Sequence, residues 1–154
     1  MKFKAKTKNM KKQTGIWIDL SKAIIVTLEG EKEKITEIES DVENRVYHVY
    51  EGNKGTFDGV HHSSSEKKFE ERRKIEINHF LKDVLMQVKY SDELYIIGPS
   101  DTKLKLEQKI LEDRSINTNN IKLVETAGYM TLNQIVSKVK HFYHPELYQI
   151  NPRQ

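Results

Sequence analysis

The stretch that decides the fold is residues 93–110, ELYIIGPSDTKLKLEQKI. Residues 94–97 form a short, continuous apolar run, which is typical of a strand buried on both faces. Gly98 and Pro99 end that run, and either Ser100 or Asp101 is suited to cap a helix over residues 102–113. A buried strand followed directly by a helix is the unit from which parallel sheets are built.

The same pattern continues on both sides of this stretch. After it, IKLVET (121–126) predicts a strand, and Thr131 with Gln134 has the spacing of a capping box that starts a helix over 131–143. Before it, residues 63–90 predict a long helix that begins at a capping box of Ser63 and Glu66, or one residue later at Ser64. One face of this helix carries an apolar stripe, which comprises Phe69, Arg73, Ile77, Phe80, Leu81, Val84, Leu85 and Val88. Arg73 interrupts the stripe, but its aliphatic stem can pack with the apolar side chains.

The N-terminal part of the chain predicts strands alone. GIWIDL (15–20) and AIIVTLE (23–29) are joined by two residues and predict an antiparallel hairpin, and KEKITEIES (32–40) predicts a third strand. The element order is therefore β-β-β-α-β-α-β-α. Parallel strands in the second half require right-handed crossovers, so we predict an α/β fold: a mixed five-stranded sheet with helices on its faces, in ribonuclease-H-like order.

One connection is unusually long. Residues 41–62, DVENRVYHVYEGNKGTFDGVHH, contain glycines at 52, 55 and 59 and show no helical period, although RVYHVY is compatible with a short strand. Connections of this length within a compact domain are usually functional or disordered. We refer to residues 44–65 as the long loop.

Charge is distributed unevenly along the chain. Residues 2–12, KFKAKTKNMKK, contain six of the 26 basic residues, and the rest of the chain carries 20 basic against 23 acidic residues. The sequence thus predicts a slightly acidic domain (14–145) with a flexible basic arm (1–13) and a loose tail (146–154). The arm is suited either to a disordered solubility tail or to salt-sensitive contact with phosphates.

Composition excludes several classes of protein. The chain has no cysteine, which excludes disulfides and thiolate chemistry, and no apolar run of the 18–20 residues that a membrane span needs. It shows no signal-peptide segment, so we expect a cytoplasmic protein. Walker, GxGxxG and nucleophile-elbow motifs are absent, and we expect neither a cofactor nor a metal.

Four stretches together resemble a known family: IWIDLSKAIIVTLEG, SEKKFEERRKIEINHFLKDV, ELYIIGPSDTKLKLEQKI and VETAGYMTLNQIVSKVKHFY. They are similar to small bacterial relatives of the archaeal–eukaryotic class-I peptide release factor and of Pelota. The resemblance covers residues 15–143 and is to the middle, ribonuclease-H-like domain of those proteins. It implies a role in translation, with the ribosome or RNA as partner.

The resemblance also identifies what this chain lacks. In release factors the connection between the third strand and the long helix carries Gly-Gly-Gln, the tripeptide that positions water for peptide release. The matching region here contains EGNKGTFDGVHHSSS, and Gly-Gly-Gln occurs nowhere in the chain. Pelota-like proteins also lack the tripeptide and act on stalled ribosomes, so the resemblance still implies a role at the ribosome. We expect that role to be non-catalytic.

Candidate contacts for RNA or the ribosome cluster around the long loop and the helix that follows it. Aromatic side chains near a loop can stack on bases, and cations near a helix start favour phosphate. The alternative is a solvated face of mixed charge, because acidic residues interleave with the basic ones. A protein-interaction surface that uses the same loop is a second alternative. The candidate residues are Tyr47, Tyr50, Phe57, His61, His62, Lys67, Lys68, Arg72, Arg73, Lys103 and Lys105.

Asp19 provides a third functional hypothesis. It ends the first predicted strand, where nucleases of the ribonuclease H fold hold a metal-binding aspartate. Two-metal hydrolysis requires further carboxylates that converge on the same point. An aspartate that accepts hydrogen bonds from the backbone of the following turn explains this residue equally well.

Overall fold

We describe the protein from a computed structural model, which covers residues 10–42 and 59–148; for residues 59–64 it describes the backbone alone. Two short 3-10 segments, Thr118–Asn120 and Pro145–Tyr148, accompany the main elements. The strands and helices are β1 (Lys12–Ile18), β2 (Lys22–Glu29), β3 (Lys32–Glu39), α1 (Gly59–Val88), β4 (Glu93–Gly98), α2 (Thr102–Glu112), β5 (Ile121–Thr126) and α3 (Leu132–Tyr143).

The sheet has five strands in the order β3-β2-β1-β4-β5. β1 pairs antiparallel with β2, and β2 pairs antiparallel with β3. β4 is parallel to β1, and β5 is parallel to β4. The predicted element order and the mixed, ribonuclease-H-like sheet are therefore confirmed.

The helices cover the two faces of the sheet unequally. Side chains alternate between faces along a strand, so Ile16 and Ile18 pack under α1 and α2. Trp17, between them, faces the other way and packs under α3, where Ile135 and Val139 are fully buried. The two apolar clusters lie on opposite sides of the sheet.

Two predicted boundaries differ from the structure. The capping box at Ser63 is wrong, because α1 begins four residues earlier, at Gly59, and part of the long loop is helical. A long helix that is already anchored by packing extends at low cost through residues of modest helix propensity. β1 begins at Lys12, inside the predicted arm, because the Lys12 N–H donates to Asp92 Oδ2 (2.8 Å) and its carbonyl accepts from the Asp92 N–H (2.8 Å).

The parallel strands define two ends of the sheet. β1, β3, β4 and β5 all run in one direction, and we call the end where they finish the carboxyl end. α2 directly follows β4 and therefore begins at the carboxyl end. α1 directly precedes β4, so it finishes at the amino end and also begins toward the carboxyl end. Both helices thus direct their positive dipole ends the same way.

Candidate functional site

The candidate site is the first half of α1, which extends beyond the packed body. α1 has 30 residues and so is about 45 Å long, whereas the seven residues of β1 span about 23 Å. From Ser65 onward, where the side chains of α1 are described, the first one that joins the core is Ile77, and none of residues 65–76 is buried. We call residues 65–76 the projecting segment. It extends outward beyond the carboxyl end of the sheet.

Basic side chains are displayed on this projecting segment. Lys67, Lys68 and Arg72 are exposed, and Lys68 and Arg72, four residues apart, share one helix face opposite the apolar stripe. Arg73 is half-buried within the stripe, and its Nε has no hydrogen-bond partner among the described residues. Three of the four predicted bases on α1 are thus exposed, and Arg73 is half-buried.

An acidic groove lies directly below the projecting segment. It has a volume of about 300 Å³ and runs between the end of β3 and the middle of α1. Its lining residues are Glu39, Ser40, Asp41, Ile75, Glu76, His79, Phe80 and Asp83. Because its four carboxylates repel phosphates, the groove is a surface that disfavours an anion.

The two lysines of α2 have different environments. Lys103 is only 7% exposed, and its Nζ donates to the carbonyl oxygen of Ser100 at 2.5 Å. Its ammonium group therefore holds the Gly-Pro turn and is not displayed on the surface with the other bases. Lys105 is exposed near the start of α2, toward the same end of the sheet as the projecting segment.

The basic arm joins the body at the other end of the sheet. It leads into Lys12, the first residue of β1, which lies at the amino end beside Asp92. The length of β1, about 23 Å, separates this point from the carboxyl end. Among the described residues, Lys12 and the start of α1 therefore lie toward opposite ends of the sheet.

Other predicted contacts lie beyond what the structure describes. Tyr47, Tyr50 and Phe57 are outside the described residues. For His61 and His62 the described backbone lies in the first turn of α1.

Asp19 serves the turn between β1 and β2. Its Oδ1 accepts hydrogen bonds from the N–H of Ser21 (2.8 Å), the hydroxyl of Ser21 (2.9 Å) and the N–H of Lys22 (2.9 Å). The structure thus confirms the interpretation of Asp19 as a turn residue. Within residues 10–42 and 59–148, no three His, Asp or Glu side chains are placed to hold a metal ion.

These contacts predict a difference between two substitutions of Asp19. We expect Asp19→Ala to lower the free energy of unfolding by about 2 kcal/mol, because three donors lose a charged acceptor. Asp19→Asn keeps an oxygen acceptor and should lose clearly less. Urea unfolding with and without magnesium measures both effects. If magnesium stabilises the wild type and neither variant, Asp19 is a metal ligand instead.

Sequence reasoning missed a larger groove on the other face of the sheet, between β5 and α3, with a volume of about 880 Å³. Tyr95 and Phe142 stack at its base with ring centroids 3.9 Å apart. Burial, together with a hydrogen bond from the Tyr95 hydroxyl to Glu125, raises the pKa of the Tyr95 phenol. Lys138 Nζ lies 3.7 Å from the Glu125 carboxylate. No local motif indicates this groove, because its lining comes from three separate elements.

Comparison with known proteins finds no matching family model and no matching curated protein. Among solved structures, the chain is similar to an archaeal translation termination factor, aRF1, with 12% identity and a TM-score of 0.45 over 89% of this chain. It is also similar to Pelota from Archaeoglobus fulgidus, with 11% identity and a TM-score of 0.40 over 96% of this chain. The match spans 40% of the length of each of those chains.

None of the described helices is both long enough and apolar enough to cross a membrane.

Proposed function

We propose that this chain is a non-catalytic, translation-related protein of the cytoplasm that binds RNA or the ribosome through the 44–65 loop and the adjacent start of α1. The observation that carries the proposal is the projecting segment. It displays Lys67, Lys68 and Arg72 at the distal end of a helix whose middle borders an acidic groove. The resemblance of residues 15–143 to release-factor and Pelota middle domains supports a role in translation.

In this proposal the bases of α1 contact phosphates. Lys68 and Arg72 neutralise the backbone of the nucleic acid from one side of the helix, and Lys67 adds a third cation nearby. The aromatic residues Tyr47, Tyr50 and Phe57 of the loop segment would stack on unpaired bases. His61 and His62 lie at the junction of the loop and the helix. The acidic groove limits how far along α1 the nucleic acid can lie.

Charge reversal on the projecting segment tests the proposal. The double variant Lys68→Glu, Arg72→Glu should bind purified ribosomes and a labelled oligouridylate about tenfold more weakly at moderate salt. The slope of log K against log salt for the oligouridylate should fall by about 0.7 for each lost phosphate contact. Co-sedimentation and fluorescence anisotropy provide the two measurements.

The matched control carries the same change of charge elsewhere. Lys32 and Lys34 are exposed on β3, toward the amino end of the sheet. The variant Lys32→Glu, Lys34→Glu should retain wild-type binding. Equal loss of binding in the two double variants would mean that net charge alone drives association, and would reject the projecting segment as the site.

The contribution of the arm needs a truncation that spares β1. A deletion of residues 1–13 would remove Lys12 and Gln13, and the side-chain amide of Gln13 donates to Glu93 at 2.7 Å. Deleting residues 1–9 leaves this pairing intact. Unchanged binding in that truncation would show that residues 1–9 make no contact.

An interaction with a protein is the second candidate function. The observation that favours it is Ile75, an exposed apolar residue at the mouth of the acidic groove. If Ile75→Asp abolishes capture of a cellular protein while binding to ribosomes and the oligouridylate is unchanged, α1 serves a protein partner there.

A further inference from the structure

The outward face of α2 carries an apolar stripe that nothing in the described structure covers. Leu104 is 51% exposed and Leu111 is 45% exposed, seven residues apart and so on the same side of the helix. Exposed Gln108 lies between them. On the opposite side, Leu106 and Ile110 are fully buried against the sheet. α2 is therefore apolar on two opposite faces, and packing among residues 10–42 and 59–148 accounts for only one of them.

Opposite charges lie along one flank of this stripe. Lys105 is near the beginning of α2 and Glu112 is its last residue, and both are exposed. At 100° per residue they fall within about 20° of each other around the helix axis. The flank is thus basic toward one end of the helix and acidic toward the other.

We propose that α2 packs antiparallel against α2 of a second copy of this chain, about a two-fold axis near Gln108. In this arrangement Leu104 contacts the partner's Leu111, and Leu111 contacts the partner's Leu104. A two-fold axis perpendicular to both helices brings identical flanks together, so Lys105 faces the partner's Glu112. The stripe and its flank are complementary to their own antiparallel copy, as an isologous interface requires.

The neighbouring helix α1 extends the surface. α1 and α2 run in the same direction on the same face of the sheet. The two helices contact each other. Met86 is 57% exposed near the end of α1. Two leucines from each copy bury less than the roughly 1,200 Å² of a stable interface, so the proposed interface includes Met86, and we expect the dimer to be concentration-dependent.

The dimer is compatible with the proposed RNA surface. The antiparallel arrangement directs the two projecting segments toward opposite ends of the assembly, with Lys68 and Arg72 outside the interface. Lys105 pairs across the interface in this arrangement, so phosphate contact rests on the bases of α1.

Charge reversal across the interface provides the test, by sedimentation velocity over a range of concentrations at low salt. The wild type should form a dimer. Lys105→Glu alone or Glu112→Lys alone should raise the dissociation constant of the dimer severalfold, because each single variant creates two pairs of like charges across the interface. The double variant Lys105→Glu, Glu112→Lys restores both pairs and should recover wild-type association. Leu104→Asp should abolish it.

A matched control and two outcomes make the test decisive. Lys34→Glu makes the same charge change on β3, at the opposite edge of the sheet from β5, and should leave the dimer unchanged. A monomeric wild type at every concentration would reject the proposal. A double variant that associates no better than the single variants would also reject it, because the two residues would then not face each other. Neither result bears on binding of RNA by the projecting segment.

Discussion

Gly98→Ala is expected to lower the free energy of unfolding by about 3 kcal/mol. A Cβ at this position would lie closer than 3.0 Å to the backbone carbonyl oxygen of Ile18. That oxygen belongs to β1, which is paired on both sides, so it has no room to withdraw without breaking the sheet. The loss should appear as a lower midpoint in urea unfolding with an unchanged slope.

A second glycine provides the matched control for Gly98. Gly128 has no atom within 4 Å of where its Cβ would lie, and its φ is not positive. Gly128→Ala should therefore leave the stability within about 0.5 kcal/mol of the wild type. Equal stability of the two alanine variants would show that β1 and β4 are not held as closely as described.

Gly15→Ala is expected to have a comparable effect that a second substitution can relieve. A Cβ on Gly15 would lie closer than 3.0 Å to both methyl groups of Val139 on α3. The collision should separate α3 from the sheet at a cost of about 3 kcal/mol. Because the atoms in conflict belong to a side chain, Val139→Ala removes them and makes room for the new methyl group.

We therefore expect the free energy of unfolding of the double variant Gly15→Ala, Val139→Ala to exceed that of Gly15→Ala alone by about 1 kcal/mol or more. Val139→Ala alone should cost about 2 kcal/mol, since it leaves a cavity at a fully buried site. Urea unfolding of the four proteins completes the cycle. Simple additivity of the two single effects would contradict the close approach of α3 to β1.

Gly98 has two roles, and only one of them can be predicted from the sequence. The sequence predicts that Gly98 ends a strand, which is correct, since β4 finishes there. Its second role, close approach to Ile18, depends on the parallel pairing of β1 and β4, segments about 80 residues apart in the chain. Patterns of neighbouring residues carry no information about such an approach.

Local signals also explain where prediction succeeded and where it failed along α1 and α3. Thr131 accepts from the Gln134 N–H, and the Gln134 side chain accepts from the Thr131 N–H, as the predicted capping box requires. The equivalent spacing of Ser63 and Glu66 lies inside α1, because the helix begins at Gly59. A capping box indicates a possible helix start, and continued packing of the helix body decides whether the helix begins there.

The amino-acid sequence by itself determined the order of strands and helices, the apolar stripe of α1 and the absence of Gly-Gly-Gln. Each of these is a property of neighbouring residues, read from period, turn chemistry or presence. Only the tertiary structure decided that Lys103 is buried, that Lys12 and the start of α1 lie toward opposite ends of the sheet, and that four carboxylates line a groove beside the middle of α1. These features arise where β1, β3, β4 and α1 meet, because pairing between distant segments, and not local preference, sets which side chains become neighbours.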